Sequence, residues 1–390
     1  MSAETQITPT TTDQPLKVIA PEPHLRERLA PMLQWEVGLV VLLVATCVMG
    51  SQMSSRFLLP GNFFYIGLNI GEIAIMAIPV TLIVITGEID LSITSTLELA
   101  GVTMGWLFAH GWPIEAAMAA ALCVGAAAGA FNGFLVTRLG LPSMIVTIGT
   151  LTLYEGIGQI LLPQTSVGGF PTTLTNIGIF PIPHTQVPYS IGFFVIIALV
   201  TGVVLHKTPL GRAIYAIGTN REASFFSGVR VKRIKMWLFI ASGLLSAFCG
   251  ILWTLRFASA RYDMASGLEL NVVAIVFFAG TAFTGGKGSV IGVVLAASIF
   301  AGVQNALTLD NISAQEQNIV IGGLLIASVL IPSVADVYRR TGQSLQSLGR
   351  RHLNEAQPVA VMAAGTPSVE APSPSLGEVA EETDVDSDRR

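Results

Sequence analysis

Residues 280–291, GTAFTGGKGSVI, carry the residue types of a phosphate-binding loop. Such a loop, G-x-x-x-x-G-K-[ST], cradles phosphates with backbone N–H groups, reaches them with its lysine and holds Mg2+ with a hydroxyl. Counted back from Gly286 and Lys287, the first glycine falls on Thr281, and Gly288 stands where the hydroxyl belongs. A nucleotide loop also follows a strand and opens a helix inside a βαβ unit. Here the flanks NVVAIVFFAG and SVIGVVLAASIFAGV are long apolar runs. Nucleotide hydrolysis by this loop is set aside. Other enzymatic patterns fare no better. The five histidines (His24, His110, His184, His206, His352) form no HExxH pair, and Ser242-Gly243 lacks the G-x-S-x-G context of a nucleophile elbow. Cys47, Cys123 and Cys249 lie in apolar runs without a CxxC, which suggests small packing residues and neither a disulfide framework nor a zinc site.

The elements that position these residues follow from composition. Hydrophobic residues make up 52% of the 390 and charged residues 12%, with mean hydropathy +0.66, whereas soluble domains carry about 25% charged residues. The chain reads as an all-α integral membrane protein. A membrane helix needs about 20 mostly apolar residues, and about ten such runs occur, near 34–53, 62–86, 91–108, 114–137, 143–163, 189–206, 236–255, 269–284, 288–308 and 316–334. With the N-terminus inside, the inner segments hold three basic residues before the first run, Arg138, seven between His206 and Trp237, Lys287, and six after the last run. The outer segments hold only Arg56, Arg256 and Arg261. This asymmetry places both termini in the cytoplasm and supports an even span count.

Residues 1–33 form a polar cytoplasmic tail without the features of a secretory signal, 34–335 the transmembrane domain, and 336–390 a cytoplasmic, acidic tail that reads as largely disordered. That tail supplies much of the formal charge of −4, which therefore says little about partners. AGAFNGFLVTRLGLPSMIVTIGTL and AGVQNALTLDNISAQEQNIVIGGLL share A-G-x-x-N and a later I-V-x-x-G-x-L-like run, five spans apart. A five-plus-five inverted repeat, as in many transporters, accounts for this; chance likeness between two small-residue helices accounts for it equally.

Residues 207–235 are the longest basic inner loop. Asn220 suits an N-cap and Glu222 the positive end of a helix, so residues 222–226 form a short helix that Gly228 stops. Phe225 and Phe226 would then expose aromatic surface for a partner or dip into membrane lipid. Ionisable and amide side chains fall within the spans too: Glu72, Glu98 and Glu155 with Asn69, Gln159, Gln304 and Asn305. Intramembrane carboxylates cost about 2.5–3.5 kcal/mol and tend to face a bundle interior; lining a polar path and holding helices together both fit. Asp90 and Ser92, in the TGEIDLS break, can cap the following helix. The run AAMAAALCVGAAAGAFNG (116–133) permits close helix approach within one subunit or between two.

The pattern G-R-x-x-Y-A-x-G-x-N-x-x-A-x-x-S-G-x-x-V-x-R-x-K in the basic loop resembles permease subunits of ATP-binding-cassette importers of the ribose, rhamnose and autoinducer-2 type. TGEIDLSITS (86–95), FNGFLVTRLGLPSMIVTIGTLTLYEG (131–156) and GLELNVVAIVFFAGTAFTGGKGSVIG (267–292) are similar to three further stretches of that family, in order, over about residues 60–335. The resemblance implies no enzyme site and no cofactor in this chain, ATP and Mg2+ belonging to a partner ATPase subunit. It implies an extracytoplasmic sugar-binding protein, a second permease (the same chain or a sister), no nucleic acid, and a bacterial inner-membrane location. Asn220, Ala223, Ser227 and Gly228 match the loop expected to contact the ATPase, with Phe225 and Phe226 beside them. Asp90, Ser92, Glu98, Asn132, Glu155, Gly285 and Gly286 are the residues expected to line or gate the translocation path. The chain departs from the family pattern at Glu88 (often Gly), Thr219, Ala279, Asn271-Val272, Phe277-Phe278 and Glu155, where Arg is frequent, so the family's usual sugar does not transfer. The competing reading is an ion-coupled secondary transporter that uses the intramembrane glutamates.

Overall fold

The computed structural model describes residues 25–163, 165–327 and 330. The C-terminal tail and most of the N-terminal tail lie outside them. The order is α1 (Leu25–Met53), α2 (Pro60–Ile85), α3 (Ile93–Ala109), α4 (Ile114–Thr137), α5 (Ser143–Leu161), α6 (Thr172–Ile179), α7 (Tyr189–Lys207), α8 (Pro209–Thr219), α9 (Arg221–Phe226), α10 (Val231–Arg256), α11 (Leu268–Phe278) and α12 (Val290–Leu309). A further helix, α13, covers 314–327. Among the described residues there is no strand, only two isolated bridges, Val167 with Ala260 and Pro181 with Pro188.

Among the described residues seven helices are long and apolar enough to cross a membrane: the apolar part of α1, then α2, α4, α5, α7, α10 and α12. Of the other three expected spans, α3 lies within two residues of the expected 91–108, α11 is shorter than expected, and 316–334 extends past the described residues. α3 has 17 residues and α11 has 11; at 1.5 Å per residue, α11 is roughly 16 Å long, about half a bilayer core. The apolar run 269–284 is broken because Gly280 takes φ +86°, outside helical space for an L-residue. The run 236–255 extends the other way, to Val231, because the Lys235 ammonium meets Glu88 at 2.5 Å within the structure. The segment 207–235 is not a loop throughout but holds α8 and α9.

α10 is the central element, packed on α4, α3 and α2, while α2 also touches α7, α11 and α12, and α1 lies against α12. The small-residue stretch is spent inside the chain. A Cβ on Gly129 would stand 2.2 Å from the Phe239 carbonyl, and one on Gly243 would stand 2.2 Å from the Gly125 carbonyl. α4 and α10 are therefore in backbone contact, the small-xxx-small mode of membrane packing. Gly129→Ala should lower the thermal midpoint of the detergent-solubilised protein, an overpacking cost of about 1–3 kcal/mol. Gly202→Ala, on the open face of α7 with nothing within 4 Å of the added methyl, should not; fluorescence-detected size exclusion after a heat step reads both.

α10 is also pinned to the α2 segment at both ends. At one end stands Lys235 with Glu88; at the other, Arg256 donates to the Leu68 carbonyl, to Asn69 Oδ1 at 2.6 Å and to Glu72 at 3.2 Å. Glu72 is thus a buried, paired carboxylate rather than a group reaching for water. The two asparagines of the repeat-like segments have unlike partners: Asn132 donates to Ser92, while Asn305 exchanges two amide bonds with Asn62 at 2.7 and 3.0 Å.

Candidate functional site

All six residues expected at the ATPase contact lie on or beside one helical turn. Asn220 is the N-cap of α9 and its side chain accepts from the Ala223 N–H at 2.9 Å; Glu222 lies in the first turn. Ser227 donates back to the Ala223 carbonyl at 2.8 Å, Gly228 takes φ +83°, and the Val229 N–H closes the end on the Ser224 carbonyl. With both termini satisfied locally, the turn stands out without help from packing. Phe225 and Phe226 are 64% and 85% exposed, their rings edge to face at 5.7 Å.

This turn is mounted through α8 on a joint made of backbone. A Cβ on Gly218 would lie 1.8 Å from the Ile85 carbonyl and 2.3 Å from Gly286 N. The Gly286 N–H donates to that same Ile85 carbonyl at 2.8 Å, and a Cβ on Gly285 would meet Gly87 N at 2.9 Å. Gly285 and Gly286 take φ +83° and +77°, so here the glycines serve turn and close approach at once. The stretch that imitates a phosphate cradle is thus filled by the ends of α2 and α8. Three residues that sequence reasoning missed secure it: Tyr215 donates to the Gly288 carbonyl at 2.7 Å, Trp35 to the Phe278 carbonyl at 3.2 Å, and Glu36 accepts from Ser289 at 2.6 Å. Burial, with Glu36 nearby, pushes the Tyr215 phenol up to about 12, so it stays a donor at any physiological pH. Tyr215 stands in the loop pattern G-R-x-x-Y-A, and Trp35 and Glu36 open the first apolar run, but no local pattern ties them to residues 278–289.

Behind the joint, Asp90, Ser92 and Asn132 form one buried network. Asp90 accepts from the Ser92 N–H at 3.0 Å and hydroxyl at 2.7 Å with one oxygen, and from Ser242 at 2.8 Å with the other. The Asn132 amide donates to Ser92 at 2.7 Å, and its carbonyl oxygen accepts from Tyr154 at 3.4 Å. Ser92 occupies the N-cap of α3 but makes no side-chain bond into the helix, since its hydroxyl faces Asp90 instead. Both Asp90 oxygens are engaged, so this carboxylate ties α3, α4 and α10 together and has little left to offer a solute. Ser242, unpromising as a nucleophile, and Tyr154 are its missed partners.

Glu98 and Glu155 stand apart from this network. Glu98 accepts from the Ala265 N–H at 2.7 Å and from Ser266 at 3.2 Å, ahead of α11, and Glu155 is half-buried on α5. Glu269, also missed, accepts from Thr94 at 3.0 Å. Among the described residues no group of three His, Cys, Asp or Glu could hold a metal ion.

The chain's likenesses agree with this architecture. Residues 62–329 match the family described as the branched-chain amino acid transport system / permease component. The chain is 33% identical over 301 residues to the ribose import permease protein of Escherichia coli strain K12, covering 77% of this chain and 94% of that one. It is 32% identical over 292 residues to the D-allose transport system permease protein of the same strain, covering 75% and 89%. It is 28% identical over 307 residues to the autoinducer 2 import system permease protein of Salmonella paratyphi B, covering 77% and 92%. No solved structure matches. A multi-pass helical bundle, a short capped turn held out on a backbone joint, and a family match over its length lead to one conclusion: the chain belongs to the branched-chain amino acid transport system permease component family, a family of transporter permeases and not of enzymes.

Proposed function

We propose that this chain is the membrane permease of an ATP-binding-cassette importer in a bacterial inner membrane, with both termini cytoplasmic. It takes a monosaccharide or related small polyhydroxylated solute from an extracytoplasmic binding protein. A separate ATPase subunit docks on α9, and a second permease, the same chain or a sister, completes the path. The observation that carries the reading is the exposed Phe225–Phe226 pair on a turn capped at both ends, because a rigid aromatic knob outside the membrane is a docking element. Force on it passes through α8 to the ends of α2 and the α11–α12 loop without crossing a flexible side chain, a two-state coupling by rigid contact. ATP and Mg2+ remain with the partner, and this chain contributes position and movement only. The substrate class follows the relatives, which are named for ribose, allose and autoinducer 2.

Proteoliposomes holding this chain, an ATPase subunit with a complete P-loop from the same gene neighbourhood and the matching binding protein should take up solute only with ATP. Uptake that needs a proton or sodium gradient and no ATPase would replace this reading with ion-coupled transport through the glutamates.

A further inference from the structure

The segment between α10 and α11 behaves unlike a surface loop. Ala260 lies against Gly105, Met264 against Gly101, and Ala265 and Ser266 against Glu98. The chain therefore descends alongside α3 from residue 105 to residue 98, roughly 10 Å at helical rise, with no helix of its own. Gly267 at its foot takes φ +87° and begins α11. Irregular backbone at membrane depth is tolerated only where protein buries it or where it borders a water-filled cavity. Ser266 and Gly267 are exposed, and a polar cavity opens at Tyr262 just above them; together these favour the cavity.

Three carboxyl groups gather at the foot of this descent. Glu155 and Glu269 both act electrostatically on Glu98, and Thr94, one turn before Glu98, donates to Glu269. Glu98 is 1% exposed, yet its Oε2 has no hydrogen-bond partner among the described residues, while Oε1 takes two. A buried oxygen without a partner is costly unless something fills it. Above the cluster, Tyr262 stands 3.8 Å from the position a side chain would take at Gly158 on α5, one turn from Glu155. Tyr262 also borders a polar cavity of about 280 Å3 with Thr165, Ser166, Arg261 and Asp263. Arg261 there is held by both oxygens of Asp263 at 2.9 and 2.7 Å, so it leaves little positive charge to offset the glutamates.

We infer that Glu98, Glu155 and Glu269 form a hydrogen-bond-accepting station in an aqueous vestibule on the binding-protein side, which passes neutral or amine-bearing polyols and rejects anionic sugars. The part-buried Glu155 and Glu269 accept bonds as carboxylates, the free Oε2 of Glu98 offers one more polar atom beside them, and a polyol presents hydroxyls on every side. An acid, or a phosphorylated sugar, meets like charge in a confined space. The inference rests on the importer reading for its direction of transport; the vestibule itself does not.

The test uses a variant with Cys47, Cys123 and Cys249 replaced by alanine and carrying Gln159→Cys, which sits one turn beyond Glu155 on the exposed side of α5. A second variant carries Ser266→Cys. Each is treated from outside, in whole cells, with two membrane-impermeant methanethiosulfonates, one trimethylammonium and one sulfonate. With each rate taken relative to that of the same reagent on a small free thiol, the cationic reagent should react on the order of tenfold faster than the anionic one, the scale of charge focusing in a cleft, and Glu155→Gln/Glu269→Gln should bring the two relative rates together. Equal relative rates with all glutamates present, or no reaction at either site, would overturn the inference. The same double variant in the assembled importer should keep the ATPase subunit bound and lose about tenfold in solute uptake; unchanged uptake would also overturn it. An intact rate ratio in a chain that binds no ATPase would instead count against the importer reading alone.

Discussion

Replacing Phe225 and Phe226 together by alanine weakens capture of the ATPase subunit by about 100-fold or more while the permease itself remains folded. Among the described residues these rings are largely uncovered, 64% and 85% exposed and edge to face with each other, and α9 is closed by Asn220 and by the Gly228 turn rather than by the aromatics. Stability in detergent should therefore be unchanged. Two aromatic anchors buried in a partner's pocket carry a large share of an interface's free energy, about 1–3 kcal/mol each, and 2.7 kcal/mol is about 100-fold. Copurification from detergent and solute-stimulated ATP hydrolysis should fall together. Full coupling in the double variant would move the docking surface elsewhere on the basic face and leave the rings to the lipid interface.

Lys235→Met is the largest single loss expected within the fold. Lys235 and Glu88 have 5% and 13% side-chain exposure and meet at 2.5 Å, and removing one partner of such a pair leaves a buried charge, at a cost of about 3–5 kcal/mol. Glu88→Gln with Lys235→Met leaves no lone charge and should restore most of that loss, so the two substitutions fail to add. Denaturation midpoints in detergent for the four members of the cycle give the coupling. Additive losses would mean that the pair is solvated and contributes little. The pair lies close behind α9, whose first residue, Arg221, acts on Lys235 electrostatically.

What could be read from the residues divides along physical lines. α9 was legible because its causes are local: an N-cap asparagine, an acid in the first turn and a glycine two residues past its end all lie within ten residues. The all-helical membrane class was legible because it depends on summed hydropathy. The length of α11 was not, since an apolar run records affinity for the membrane and not whether one residue within it, such as Gly280, turns left-handed. The partners of Asp90 and Glu72 were hidden for another reason. Ser242 lies 152 residues from Asp90, and Arg256 lies 184 from Glu72; such pairs exist only once α10 has found α2 and α3. The small-residue run left open whether it packs within the chain or between chains, and the backbone contacts of Gly125 and Gly129 with α10 settle what that face touches.

The pinning of α10 at Lys235 and Arg256 reaches beyond the protein to the lipid around it. Twenty-one residues of helix separate the two anchors, roughly 31 Å, which is close to the hydrocarbon thickness of an ordinary bilayer. Both ends are bound to the α2 segment, so the central pair can neither slide nor tilt independently when acyl chains lengthen or shorten. The mismatch then falls on the peripheral helices α1, α5 and α7, in which fewer than a third of the residues are buried, and on the lipid that bends to meet them. A permease built this way holds its central helix pair at a fixed depth and lets its rim take up changes in membrane composition.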